Sequence, residues 1–327
     1  LYTHFVKNKG LYILSLQSED NDFFASHILD DRAVAEMTTV SQRNLAGAKA
    51  FFRERLASCT ADDLIGFINR VNAANMLVYL IRDEIEAAMI FETTNDRGKP
   101  LTNLEKTKSF LMYKAAVKLP DAGQLIAQIR TRFDAVYKDY AAIESYGIDE
   151  NSILQYSFIA NEEWVNHGKK KEYQHYMATM KAMTDRQEGV QLAEYIDRYT
   201  YDIQQTFSAA KKMYMDPCAE FADIMALGRV ASFLPLLIKC YRMDADSGKV
   251  DYRRICRLCE VFVFRAFVVF GYMSNKLQTT WYELARNFQG DFDGLADRIV
   301  DLVQRVGDDE GFLARLQSPN FYNEHGS

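Results

Sequence analysis

The sequence predicts an all-α protein, a multi-helix array of about a dozen helices with one or two short strands near the N-terminus. Three observations carry that expectation. Proline and glycine are scarce, 5 and 16 among 327 residues, while Ala, Leu, Glu, Lys, Arg and Gln, which lose little on entering a helix, are plentiful. Apolar side chains recur at three- and four-residue intervals through most of the chain, the period of a buried helix face. Helix-start signatures of the form Thr-x-x-acid recur at Thr60/Asp63, Thr102/Glu105 and Thr280/Glu283, where each side chain can satisfy the other's free backbone amide. A hydrophobic fraction of 48% and an aromatic fraction of 13% supply a large core and argue against disorder.

Taken in order, residues 11 to 17 predict a short strand, and Asp20 to Asp31 a turn and a short helix. Ser41 opens a helix to Leu56 with Leu45, Ala48, Phe52 and Leu56 on one stripe, and Thr60-Ala-Asp-Asp63 caps a second through Asn72. A long helix from Met76 to Phe91 leads to Gly98 and Pro100, which stop it, and the Thr102/Glu105 box opens the next helix to Val117. Pro120-Asp-Ala-Gly123 is the clearest break and sets a domain boundary, dividing the chain into 1–119 and 120–327. Beyond it the pattern predicts helices over Gln124–Tyr140, Asn151–Val165 with Trp164 in the core, Tyr173–Met183 and Leu192–Met213. Asp216-Pro217 reads as an N-cap and first helical position, and Pro235 as a kink in the helix that follows. Helices over Asp251–Ser274, Thr280–Phe288, Phe292–Val306 and Glu310–Leu316 complete the chain.

The stretch between the first and second of those boxes is where unusual backbone demands and clustered polar groups coincide. Asn95, Asp96, Arg97, Gly98 and Lys99 form a helix-turn-helix elbow ahead of a capped helix start, a place where backbone amides and the helix dipole favour an anion. Spacing leaves two readings open: a capped corner whose polar groups bond the turn, or a phosphate contact by Arg97, Lys99 and the first helical amides. No P-loop run exists in the sequence.

The run Phe91-Glu-x-x-Asn95-Asp-Arg97-Gly98-x-Pro-Leu101, followed by a lysine-bearing helix, resembles a signature of the GmrSD-like family. Looser similarities cover Leu14 to Phe24, Phe262 to Asn275 with Arg265, and Phe312 to Tyr322. Members of that family are modification-dependent restriction proteins active in phage defence. They pair a ParB/sulfiredoxin-like domain, bearing an Asp-Gly-Gln-Gln-Arg motif and using a nucleoside triphosphate, with a His-Asn-His-type nuclease. The resemblance implies a nucleotide, GTP or ATP with Mg, bound in part by Asn95, Asp96, Arg97, Gly98 and Lys99. It further implies modified DNA as the partner of the complete protein, with self-association left open. The sequence contains neither the Asp-Gly-Gln-Gln-Arg motif nor the nuclease motif; Glu324-His325 comes nearest to the latter. The expectation is therefore a central helical portion, 1–119 being the remainder of the N-terminal lobe and 120–327 leading toward a nuclease, with no catalytic residue of its own. A non-catalytic helical scaffold is the alternative.

Composition narrows the remaining classes. A formal charge of −6 gives no overall attraction to nucleic acid, although an acidic protein can still present a basic groove. The short basic turn His167-Gly-Lys-Lys-Lys171 is one place to look, read either as a solvated loop or as a phosphate contact. Five cysteines, with one Cys-x-x-Cys at Cys256 and Cys259 inside an apolar run, read as reduced core thiols. The five histidines are scattered without an i, i+4 pair, so no metal box is visible. The opening Leu1–Lys7 lacks the apolar run of a secretory signal, and a cytoplasmic protein is expected. The most apolar segment, Val261 to Met273, is shorter than the roughly 18 to 20 residues that cross a bilayer and contains Arg265, which needs a partner, Glu260 being near in sequence. Adjacent carboxylates such as Glu162 and Glu163 point to different helix faces and do not make a hydrolase pair.

Overall fold

The structure, a computed structural model, describes residues 6–8, 11–16, 20–33, 36–37, 39–75, 101–167, 169–244 and 247–318. The chain divides into two compact units, Leu1–Leu80 and Ile81–Ser327. Among the described residues it is mainly helical, as its composition predicts, with two small two-stranded hairpins.

The first unit begins with a hairpin of β1 (Lys7–Asn8) and β2 (Leu11–Tyr12), in register Lys7 with Tyr12. The strand expected over residues 11 to 17 is thus only two residues long in the described part. Helix α1 (Asn21–Phe23) runs on into a π-helical turn (Phe24–Leu29), and Asp30 just beyond it collects Lys7 at 3.1 Å and the Tyr12 hydroxyl at 2.7 Å. Helix α2 (Val40–Ala57) starts where the Thr39 hydroxyl accepts the Gln42 amide at 3.1 Å. Helix α3 (Ala61–Ala73) starts at the predicted Thr60/Asp63 capping box. The apolar stripe on α2 is not buried: Phe52 is 61% and Leu56 49% exposed. Phe23 is the single buried apolar side chain among the described residues of this unit.

The second unit has a continuous core. Helix α4 (Asn103–Lys118) carries both halves of its predicted capping box, Thr102 Oγ1 accepting the Glu105 amide at 3.2 Å and Glu105 accepting the Thr102 amide at 2.8 Å. Its Leu104, Leu111 and Ala115 are buried against α5 (Gly123–Ala141), whose Ile126, Ile129, Phe133 and Val136 repeat at three and four residues. The break at Pro120 is therefore a tight turn between two packed helices, and the 119/120 boundary falls inside this unit.

Helix α6 (Glu150–Asn161) is capped by Asp149, which accepts the Asn151 and Ser152 amides at 2.9 and 3.2 Å. It stops four residues before the predicted end, because Glu162 turns inward to pair with Arg198. A hairpin, β3 (Asn166–His167) with β4 (Lys170–Lys171), then leads through a 3₁₀ turn (Glu172–His175) into α7 (Tyr176–Asp185). Helix α8 (Gly189–Met215) is the spine: 27 residues, about 40 Å at the helical rise. It buries Leu192, Ile196, Tyr199, Ile203, Phe207 and Ala210 along one stripe against α5, α6 and α10.

Two proline readings are corrected here. Asp216 closes α8, its amide returning to the Lys212 carbonyl, and α9 (Ala219–Ala226) starts after Cys218 instead. Pro235 does not kink that helix: Gly228, at φ 70°, follows its end, and Pro235 sits in the first turn of a new helix, α10 (Leu234–Met243). There its missing amide costs nothing. Helix α11 (Val250–Val263) passes into a π-helical turn (Phe264–Val269) that ends before Gly271, earlier than the expected Ser274. Helix α12 (Gln278–Asn287) opens after Leu277, so Thr280 lies within it and is not its cap. Helix α13 (Phe292–Val306), capped by Asp291, and α14 (Asp309–Leu316), capped by Asp308, lie where expected. The rings of Phe233, Phe262 and Trp281 meet edge-on at centroid distances of 4.5 to 5.8 Å and lock α10, α11 and α12 together.

Arg265 finds its partner across the fold. Its guanidinium donates to Asp309 at 2.8 Å and to the Gly307 carbonyl at 2.9 Å, and lies 4.4 Å from the Phe312 ring centroid. The partner is Asp309, 44 residues away, in place of nearby Glu260. All five cysteines are free thiols; Cys240, Cys256 and Cys259 are buried, and burial pushes the Cys256 thiol up to about 12. Such thiols are inert packing groups.

Candidate functional site: the α4 start and a basic groove

Asn95, Asp96, Arg97, Gly98 and Lys99 lie outside the described residues, as does the predicted helix from Met76 to Phe91. The described structure resumes at Leu101, and what it shows is the receiving end of that elbow, the start of α4. The sequence expected the first amides there to face an external anion. The Glu150 carboxylate, at the start of α6, lies near Thr102 and Leu104. Burial pushes that carboxyl up, opposed by those two neighbours. Asn103 donates to Asn151 and to the Tyr176 hydroxyl. The Asn103–Asn151 bond ties the starts of α4 and α6 together.

The second candidate is concave and basic. A groove of about 540 Å³ runs between the β3–β4 hairpin and α7. Lys169, Lys170 and Lys171 line the hairpin wall, and His175 and Arg186 the helix wall, with Ala178 and Ala182 exposed between them. Glu172 is the one carboxylate in this lining. It is already engaged, by Lys170 at 2.9 Å and by the Val165 amide at 2.9 Å. Lys169, Lys171 and Arg186 have no ion-pair partner among the described residues. The groove continues, through shared Lys170 and Arg186, into a cleft of about 810 Å³ that reaches Arg286, Asn287 and Gln289.

The floor beneath is rigid. Trp164, buried as predicted, donates its indole N–H to the Ile159 carbonyl at 2.9 Å and packs edge-on against Tyr173 at 5.1 Å. Arg286 lies 4.6 Å from the Trp164 ring centroid and donates to the Trp164 carbonyl at 2.7 Å. Below, Lys239 is 7% exposed and donates to three helix-end carbonyls, Ala160 at 2.7 Å, Ala285 at 3.0 Å and Arg286 at 3.0 Å. Burial, reinforced by the Arg242 guanidinium, lowers its pKa to about 8. Beside it, buried Glu162 takes a two-pronged bond from Arg198 at 2.8 and 3.2 Å. Burial raises the Glu162 carboxyl and the Arg198 bonds oppose that rise. Glu162 is thus a buried anchor for Arg198.

The basic turn was visible in sequence; Arg186, Arg286 and Lys239 were not singled out. Each comes from a different helix, and no local pattern marks a lysine whose acceptors lie 46 to 79 residues away. No cluster of three or more His, Cys, Asp or Glu side chains able to hold a metal ion occurs among the described residues. Comparison with known proteins returns no matching family model, no matching curated protein and no matching solved structure.

Proposed function

We propose that this chain is the helical portion of a nucleotide-dependent, modification-dependent DNA-defence protein of the GmrSD-like kind. In this reading Asn95, Asp96, Arg97, Gly98 and Lys99 complete a site for GTP or ATP with Mg, whose other half belongs to a ParB-like lobe. The helices of the second unit hold a nuclease and pass nucleotide state to it, and modified DNA is the substrate. The observation that carries the reading is the run Phe91-Glu-x-x-Asn-Asp-Arg-Gly-x-Pro-Leu101 joined directly to a capped helix start. Arg97 supplies the two-pronged donor a phosphate takes, and Lys99 a second cation. Among the described residues no helix is long and apolar enough to cross a membrane, which agrees with a protein working on DNA in the cytoplasm.

The test is nucleotide turnover in the complete protein with Mg²⁺. Arg97→Ala is expected to lower GTP or ATP turnover by about a hundredfold, the order that loss of a charge-stabilising donor costs, with the melting temperature unchanged. Equal turnover in variant and parent would sink the reading. A second reading, a non-catalytic interaction module, is favoured by one observation: α2 and α3 expose Phe51, Phe52, Leu56, Ile65, Phe67 and Val71, each by about half or more.

A further inference from the structure

The groove beside the β3–β4 hairpin has the chemistry of a backbone reader, and we propose that it binds the sugar-phosphate backbone of duplex DNA. The assignment deepens that reading, which already takes DNA as substrate, but stands on residues other than those of the nucleotide site; duplex binding and nucleotide turnover are measured separately, so either can fail alone.

Four cations, Lys169, Lys170, Lys171 and Arg186, face one carboxylate, Glu172, in a chain whose formal charge is −6. A structural role would consume those charges in ion pairs. Only Lys170 is consumed, by Glu172; Lys169, Lys171 and Arg186 are left unpaired among the described residues. Their shared location, on both walls of a concavity, distinguishes them from scattered surface lysines. Walls bearing like charge repel each other across the groove, and an anionic rod lying between them relieves that repulsion.

Shape and lining select among polyanions. The exposed floor of α7 offers Ala178 and Ala182, small side chains that let a backbone approach closely. The large aromatics nearby, Trp164 and Tyr173, are each 3% exposed, and Arg286 covers Trp164, so neither offers a platform for stacking unpaired bases. That favours a duplex, whose bases stay paired, over a single strand. A membrane surface calls for a flat basic face with apolar side chains that insert; this surface is concave. The extension toward Arg286, Asn287 and Gln289 supplies further hydrogen-bond donors for phosphate and sugar oxygens, although Glu162, paired with Arg198, and exposed Glu163 line it too.

Three unpaired cations predict three phosphate contacts. The dependence of log affinity on log salt then has a slope of about −2.7. Binding is set by charge and not by base edges, so it is insensitive to sequence.

The experiment titrates the full chain into a fluorescein-labelled DNA duplex of about 20 base pairs and follows anisotropy from low to moderate salt. The expected result is salt-dependent binding with that slope. The triple variant Lys169→Gln/Lys171→Gln/Arg186→Gln should weaken it about a hundredfold near physiological salt and bring the slope close to zero. A control variant, Arg254→Gln/Arg257→Gln/Lys276→Gln, removes the same formal charge from outside the groove lining and should bind as the parent does. Far-UV circular dichroism melts of both variants check that each is folded. The proposal is overturned if the parent shows no salt-dependent duplex binding, or if the folded groove variant binds unchanged. It is also overturned if the control weakens binding as much as the groove variant. Preference for vesicles of phosphatidylcholine and phosphatidylserine over the duplex would assign the groove to a lipid surface and overturn it too.

Discussion

Replacing Lys239 by Met removes an ammonium from the place where α6, α10 and α12 meet, and its cost can be worked from the geometry. Three carbonyls lose their donor, and all three lie in the last turns of their helices, where the backbone is electronegative and short of partners. Bonds to a charged donor contribute at least about 1.5 kcal/mol each, so the loss is about 5 kcal/mol. Against it stands the cost of burying the charge. A pKa lowered from 10.5 to about 8 corresponds to about 3 kcal/mol at neutral pH. The variant is therefore expected to be less stable by about 2 kcal/mol near pH 7. The pH dependence has a definite sign. The folded form gives up this proton more readily than the unfolded chain, so the unfolded state binds more protons between about pH 8 and 10.5, and the parent gains stability as pH rises through that window. Between about pH 7 and 9.5 the gain is about 2 kcal/mol, absent in the Met variant, so the gap between the two should widen to about 4 kcal/mol. Urea unfolding followed by tryptophan fluorescence reads this directly, since both tryptophans, Trp164 and Trp281, are buried in the same unit. Other groups titrate alike in both proteins and cancel in the difference. A gap that stays constant or narrows with pH would refute the reasoning: it would mean that three carbonyl acceptors hold the ammonium charged and outweigh its desolvation.

Two shorter predictions follow from the same structure. Gly307→Ala places a methyl inside the ring of Phe270, which also stacks under Arg315; the expected loss is about 1 to 3 kcal/mol by overpacking, read as a lowered melting temperature and largely reversed by adding Phe270→Ala. Thr102→Val deletes the side-chain half of the α4 capping box. The loss in a urea melt should be about 1 kcal/mol, while unchanged stability would mean that the Glu105 half of the box alone suffices to start the helix.

How far the fold could be read in advance depended on the range of the forces that set each feature. Caps act over three residues, and Thr60, Thr102, Asp291 and Asp308 stand at helix starts in the structure. Asp291 and Asp308 lie at helix starts predicted from apolar spacing alone. Proline is ambiguous at the same range, because a ring that breaks a helix interior is equally at home in a first turn; Pro235 takes the second role since Gly228 has already turned the chain. Thr280 has the spacing of a capping box, yet Leu277 at φ 60° starts α12 before it. Burial was less legible than helicity: the apolar stripe on α2 has the right period and remains exposed at Phe52 and Leu56. Period states which residues share a face, and only packing states whether that face is covered.

Sites lie at the far end of that range. The basic turn at Lys169–Lys171 is local and was visible, but a turn becomes a groove only when α7 brings Arg186 to its opposite side and α12 brings Arg286 to its end. Arg286 shows how groove and core are joined. Its carbonyl accepts from buried Lys239 while its guanidinium covers Trp164 and donates to that residue's carbonyl. One residue therefore passes the position of a core lysine to the rim of a charged cleft. The electrostatic consequence follows from distance. At physiological ionic strength charges act over about 8 Å, so the net −6 of the whole chain is screened beyond its own neighbourhood, and a polyanion inside the groove meets only the local excess of cations. On the proposed reading, an anionic partner is held where Lys169, Lys171 and Arg186 converge on the walls of this groove.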